Sequence, residues 1–349
     1  MKKNSTGKPQ NTGSNILKWI GVATAIISLI LGSNQIYKLI KENREAKARN
    51  EKINILIKDS QSQADANDFN GAWKTLEQAQ KLNNSSREVE KEQAQLAMKW
   101  IRTIYFKTTG SEKTFSEVVD KLTPILNHEL NLSGTKQAAA ILAHIGWANF
   151  LKWGDGITDL KTDELFKEAI ARDSLNAYAN SFYAFWLMKN ENNLIETKSH
   201  FKAALKSGID KPFIRRMQVY AYNLYTNEKL QVEIILTVNE MRKNSETLSL
   251  GERQSITGMA YNFFRSELID SIKAVLPADE HLATYYYLIN QTDYASHPNL
   301  LLTEAILLEN AGDKSKALAI YQSLKNEKYL SRMKEVDDGI SRIKAKNSL

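Results

Sequence analysis

From Ile53 onward, apolar residues recur at three- and four-residue steps, the period of an amphipathic helix, and the two-residue alternation of a strand is hard to find. In the stretch SQADANDFNGAWKTLEQAQKLN, Ala72, Leu76 and Ala79 lie four and three apart, so they share a helix face behind a turn at Asn67–Asn70. Near the C-terminus, LLTEAILLENAGDKSKALAIYQSLKNE has the same plan. Ala305 and Leu308 precede a turn at Asn310–Asp313, and Ala317, Tyr321 and Leu324 repeat the four-and-three spacing. Further helices are predicted over Arg253–Phe264 and Asp279–Asn290, and Pro212 stands where a first helical turn accepts proline.

Upstream, the pattern changes. No charged residue lies between Lys18 and Lys38, and the segment Trp19–Tyr37 is apolar on all sides. Its 19 residues would span roughly 28 Å as a helix, close to the hydrocarbon thickness of a bilayer. Trp19 and Tyr37 stand at its ends, where amphipathic rings favour the interface, and Lys18 and Lys38 can snorkel to headgroups. Ser33, Asn34 and Gln35 would lie near that interface, where polar groups cost little. A cleaved export signal is the competing reading, with Trp19–Leu31 as its apolar core. Leu31-Gly32-Ser33 makes a poor cleavage site, because its first position is large. Residues 1–15, rich in Asn, Ser, Thr, Gly and Lys, read as a disordered tail. Lys38–Ala66 has few helix breakers, so the apolar helix is expected to run straight into the first repeat helix.

The two repeated segments resemble the tetratricopeptide repeat (TPR) family. Its repeats place a small residue in a first helix and an A-x-x-x-[FYL]-x-x-A pattern in a second, twelve residues on. Ala305 to Ala317 reproduces that interval. Small residues suit a close helix crossing, and the large residue fills the gap to the next pair. The middle departs from the pattern. Gly146, Phe166 and Ala169 fit, but the intervening turn is too long and Thr162 replaces the second-helix alanine. Phe201 and Ala204 fit with Thr197 at the alanine position, and Phe166 to Phe201 is 35 residues, near the family period of about 34. Residues 205–290 match the motif poorly. Over residues 16–330 the chain is similar to bacterial membrane-anchored TPR proteins, a likeness that implies no activity.

Composition sharpens the picture at three points. Five prolines and fifteen glycines among 349 residues suit long helices on short turns. Cysteine is absent, which removes disulfides, thiolate nucleophiles and cysteine metal sites. The net charge of +7 is local. Of 47 basic and 40 acidic residues, ten and three lie in residues 1–52, leaving 37 of each beyond. A nucleic-acid binder would carry its excess on the folded domain, so no nucleic-acid partner is expected. The excess flanks the apolar segment, which points to a lipid bilayer.

Candidate chemistry is sparse. None of His128, His144, His200, His281 and His297 has a second histidine three or four residues away, so no metal set is read. Asp155, Asp159, Asp163 and Glu164 lack the alternation of a calcium loop; Asp155-Gly156 reads as a turn and Asp163 as a helix cap. There is no phosphate-binding or nucleophile-elbow motif, and Gly251-Glu252-Arg253 reads as a turn. The chain is therefore expected to be no enzyme and to need no cofactor. Aromatic clusters at Trp147, Phe150 and Trp153, and at Phe182, Tyr183, Phe185 and Trp186, read as core between repeats. Three consecutive tyrosines cannot all face inward, so Tyr285, Tyr286 and Tyr287, with Tyr222 and Tyr225, are the candidate partner-binding residues.

The expectation is an all-α protein: a tail over 1–15, a transmembrane helix over 16–40 and a TPR-like α-solenoid of stacked helix pairs over 41–349, divergent in 205–290. Its expected role is a membrane-anchored scaffold binding a protein or peptide partner. The alternatives are an enzyme with its site in the divergent middle and a structural spacer in a membrane complex. Lys38, Lys41, Arg44, Lys47, Arg49 and Lys52 outnumber Lys2, Lys3, Lys8 and Lys18. The bacterial inner membrane is the expected location, with the array on the cytoplasmic side by the positive-inside rule and a periplasmic array as the alternative.

Overall fold

The computed structural model describes residues 12–104, 115–154, 161–225, 227–248, 256, 266–289, 295–325, 327 and 332–346, with only the backbone described over 12–34 and at a few helix ends. Every regular element among them is an α-helix. The chain forms two compact units, Met1–Trp100 and Ile101–Leu349.

The first unit holds α1 (Thr12–Asp65), α2 (Phe69–Leu82) and most of α3 (Arg87–Ile104). Residues 35–52 of α1 are exposed on every side, and burial begins abruptly at Ile53. Ile53, Ile57, Ser60 and Ala64 then step by four and three along the face that meets α2. The chain reverses at Asn67, whose φ of 63° lies in the left-handed region that asparagine tolerates. Asp68 caps α2, its Oδ1 accepting from the Gly71 amide at 2.9 Å. The helix thus resumes at Phe69, inside the turn expected over Asn67–Asn70. Ala72, Leu76 and Ala79 are buried together. Ser60, twelve residues before Ala72, holds the crossing with a 3.0 Å hydrogen bond from its Oγ to the Ala72 carbonyl.

The second unit continues with α4 (Phe115–Leu132), α5 (Thr135–Gly154), α6 (Thr162–Arg172), α7 (Ala177–Glu191), α8 (Leu194–Lys206), α9 (Lys211–Tyr222) and α10 (Glu228–Lys243). It ends with α11 (Ser266–Lys273), α12 (Ala278–Ile289), α13 (Pro298–Asn310), α14 (Lys314–Leu324) and α15 (Met333–Lys346). The hairpins α5–α6, α7–α8, α9–α10 and α13–α14 each pack helix on helix. At Gly146 of α5, a Cβ would stand 2.7 Å from the Phe166 ring of α6, so only glycine admits that ring. The last hairpin meets α15 in the same way: Gly339 faces Tyr321, and a Cβ there would lie 2.5 Å from the ring. Ala305, Ala317, Tyr321 and Leu324 form one core with Val336 and Ile343. Thr197 stands where the pattern wants alanine, and its hydroxyl is used on the Ala184 carbonyl of α7, 3.3 Å away.

Of the aromatic clusters, Trp147, Phe150, Phe182, Tyr183 and Phe185 are core and Trp186 is half-buried, while the side chain of Trp153 lies outside the described residues. Trp147 stacks on Phe150 at 4.9 Å and on Phe182 at 4.8 Å, and Phe182 and Phe185 are fully buried. Pro212 begins α9 as expected. Asp163 is not a cap: α6 starts at Thr162 behind Lys161, and Asp163 pairs with Lys167 at 3.1 Å within the first turn. The helix expected over Arg253–Phe264 lies outside the described residues, except that Ile256 is helical and buried. So do the turn at Gly251–Arg253 and the acids Asp155 and Asp159. Of the expected tail, residues 1–11 lie outside the described residues and α1 begins at Thr12. The helix is unbroken from Thr12 to Asp65, so the apolar segment does run into the first repeat helix. Among the described residues no helix is long and apolar enough to cross a membrane; the side chains from Trp19 to Asn34 lie outside them.

Gly146→Ala should destabilise the chain by about 1–3 kcal/mol, the usual cost of overpacking a closed contact. Gly134→Ala is the control, since a Cβ there meets nothing within 4 Å. Urea midpoints measure both, and equal midpoints for the two variants would remove the Gly146–Phe166 crossing from the account.

Candidate functional site

The first helices α5, α7 and α9 of three successive hairpins pack side by side. A row of polar and aromatic side chains runs across them, beginning at Arg102 near the end of α3. Arg102 Nη1 lies 2.9 Å from His144 Nε2 on α5, and its guanidinium carbon stands 4.5 Å from the centroid of the Tyr178 ring on α7. Tyr178 packs edge-on to His144 at 4.9 Å and donates its hydroxyl to Asp210 Oδ2 at 3.3 Å. Asp210 is the residue that leads into α9.

The protonation of this row follows from its geometry. His144 Nδ1 is 2.6 Å from the Ala140 carbonyl, which can only accept, so Nδ1 carries the hydrogen. Nε2 is then a bare lone pair and accepts from Arg102. Complete burial holds the His144 pKa well below its usual value, with the Arg102 charge acting in the same direction. A neutral imidazole thus meets a guanidinium that stands over a phenol ring. Both contacts of Arg102 are uncharged groups, and among the described residues it forms no ion pair. Burial raises the Tyr178 pKa, opposed by Arg102.

A second polar surface lies in the first unit, where α1 and α3 flank a cleft of about 190 Å³. Gln61 Nε2 donates to Glu92 Oε2 across it at 3.0 Å, and Lys99 Nζ meets Asp65 Oδ1 at 2.6 Å. These pairs are exposed, so they are worth little as ties and are free to exchange for a ligand's groups.

The candidate tyrosines divide. Tyr222 and Tyr285 are interior, each about 1% exposed, and offer no surface to a partner. Tyr222 packs edge-on to Phe201, and burial pushes its pKa up to about 12. Tyr285 donates to the Leu300 carbonyl at 2.9 Å. Tyr225, Tyr286 and Tyr287 are half-buried. Their hydroxyls reach the Lys189 carbonyl at 3.2 Å, Glu304 Oε1 at 2.8 Å and the Glu246 carbonyl at 2.7 Å. These tyrosines tie neighbouring helices together, which explains their abundance without a partner. Of the anchor residues, Tyr37 and Lys38 are exposed on α1, whereas the side chains of Lys18 and Trp19 lie outside the described residues.

Elsewhere, two sets of polar side chains pair between helices and loops of the second unit. Arg215 of α9 pairs with Glu246 beyond α10, where burial raises the glutamate's pKa and Arg215 lowers it. Asn239 of α10 bonds Glu280 at 2.9 Å and Thr284 at 3.0 Å on α12. Of the histidines, His128 and His297 are exposed, His200 bonds Asn180 at 2.8 Å and His281 is buried. No cluster of potential metal ligands occurs among the described residues.

Sequence reasoning missed the row because its members lie 42 and 32 residues apart in its two hydrogen-bonded pairs, Arg102–His144 and Tyr178–Asp210. The signal was the repeat period itself: His144 and Tyr178 are 34 residues apart.

No known protein family matches the chain, and neither does any curated protein. Among solved structures, a tetratricopeptide repeat protein from Parabacteroides merdae is similar at 11% identity and a TM-score of 0.38, covering 84% of this chain and 99% of that one. That likeness is too loose to place any residue.

The buried histidines give a pH dependence. Burial lowers the His281 pKa to about 4, against about 6.5 in an unfolded chain. The fold is favoured fully above that unfolded value, and the contribution is lost as pH falls from about 6.5 towards 4. His144 acts in the same direction. Chemical denaturation should lose about 3 kcal/mol to His281 across that window, at about 1.4 kcal/mol per pKa unit. His281→Leu should remove that part of the slope, and an unchanged slope would contradict the burial account.

Proposed function

We propose that the chain is a membrane-anchored scaffold that holds a protein or peptide partner across the first helices of its second unit. The Arg102–His144–Tyr178–Asp210 row supports this reading. It runs from the end of α3 across α5 and α7 to the residue that leads into α9, mixes charge, aromatic surface and hydrogen-bonding groups, and among the described residues its one guanidinium forms no ion pair. An extended partner crossing several helix pairs would meet such a row, and a spacer has no use for it. Helix pairs of the tetratricopeptide kind suit protein partners generally.

The anchor in this proposal is the uncharged segment Trp19–Tyr37, bounded by Lys18 and Lys38. The unbroken α1 would then carry the array directly from the bilayer on a stiff helix. The excess of Lys and Arg after the segment supports a cytoplasmic array by the positive-inside rule.

A photoreactive phenylalanine analogue at Tyr178, introduced into the full chain in its native cell, should give one discrete cross-linked product. The same analogue at the exposed Lys167 of α6 should not. Equal products from both positions, or none from Tyr178, would contradict the proposed face.

Membranes carrying the chain should retain it through alkaline carbonate washing, and an alkaline phosphatase fused after Leu349 should be inactive. Release by carbonate would remove the anchor, and an active phosphatase would reverse the orientation.

A further inference from the structure

The exposed part of α1 carries a pattern that neither the repeat array nor a single bilayer crossing explains. Every residue of α1 from 35 to 52 is exposed, among them Ile36 and Leu39, each 59% exposed, and Ile40, 48% exposed. Isolated helix in water is marginal at such lengths, so this stretch needs a cover. Read in sevens, Ile36, Leu39, Asn43, Ala46 and Asn50 fall at successive a and d positions. Lys38, Lys41, Arg44, Glu45, Ala48 and Glu51 fall at the outer b, c and f positions. By sequence, the same register continues upstream through Val22, Ala25, Leu29 and Gly32. Downstream it stops at Ile53, which is buried against α2.

We infer that residues 36–50 of α1 pair with the same segment of a second copy of this chain as a parallel, two-stranded coiled coil. Two observations select that occupant. Asn43 and Asn50 both stand at a positions, where paired asparagines across a two-fold axis satisfy each other and favour two parallel strands in register. Glu42 falls at g and Lys47 at the following e, five residues on, which is the spacing of an attractive pair between two parallel copies. The surface is therefore complementary to itself. Within one copy, among the described residues, Glu42 pairs with Lys38 at 4.0 Å, with both side chains more than half exposed, a contact that costs little to give up. Lipid could cover Ile36 and Leu39 but has no use for the Asn43–Asn50 continuation of the same seam. Apart from Ile36, the seam lies beyond the apolar segment Trp19–Tyr37 and does not depend on its crossing a bilayer, although a shared membrane would raise the encounter frequency of two copies.

The chain is free of cysteine, so one introduced thiol reports on one position. Cysteine should be placed singly at Leu39, Asn43, Ala46, Asn50, Lys41 and Ala48 of the full chain, and cells oxidised with copper phenanthroline. Membrane and soluble fractions are scored separately, which keeps the result distinct from that of the anchor. Cross-linked dimer should be strong at Leu39, Asn43, Ala46 and Asn50 and weak at Lys41 and Ala48. In the Asn43→Cys background, Lys47→Glu should lower dimer yield severalfold, and adding Glu42→Lys should restore it. No dimer, equal yield at all six positions, or a product whose mass shows a different protein would each overturn the proposal.

Discussion

The structure depends on how closely two helices of a hairpin can cross. Stacked pairs share a continuous core only if one helix supplies a small residue where the other supplies a large one. At Gly146 the Phe166 ring occupies the space a Cβ would need. At Gly339 the Tyr321 ring does the same between α14 and α15. In the first hairpin Ser60 takes the small position and adds a hydrogen bond to the Ala72 carbonyl. In the α7–α8 hairpin, Thr197 bonds Ala184 from the opposite side. A short hydroxyl residue thus serves as well as alanine, provided a carbonyl of the facing helix is in reach.

That constraint explains which parts of the fold were legible in the sequence. Ala72, Leu76 and Ala79, and Ala317, Tyr321 and Leu324, show four-and-three spacing behind recognisable turns, and their helices could be placed closely. Thr162 and Thr197 obscured the middle hairpins, since the pattern expects alanine there. The start of α6 was misjudged for a local reason: Asp163 is used on Lys167 rather than on the helix end. Turn edges shifted by about two residues where Asn67 took the left-handed conformation and let α2 begin at Phe69.

The candidate site was less legible, because it is a property of stacking. Arg102, His144 and Tyr178 come from three helices and Asp210 from the turn before α9, and no local motif joins them. Tyrosines attracted attention by their clustering, yet Tyr222 and Tyr285 are core, and the hydroxyls of Tyr225, Tyr286 and Tyr287 are used on neighbouring segments. A phenol lets a buried ring satisfy a carbonyl at the far side of a gap, which suits helix pairs whose spacing is set by large rings. The row on the first helices differs in that, among the described residues, its guanidinium is held by neutral groups, His144 and Tyr178.

The most direct test of the crossing constraint is a double-mutant cycle between Gly146 and Phe166, read as unfolding free energy of the full chain. If the glycine exists to admit the ring, Gly146→Ala should cost much less in a Phe166→Leu background than alone, with a coupling of about 1 kcal/mol or more. Additive effects would mean that the two residues do not set each other's space, and would contradict the account of how the pairs are built.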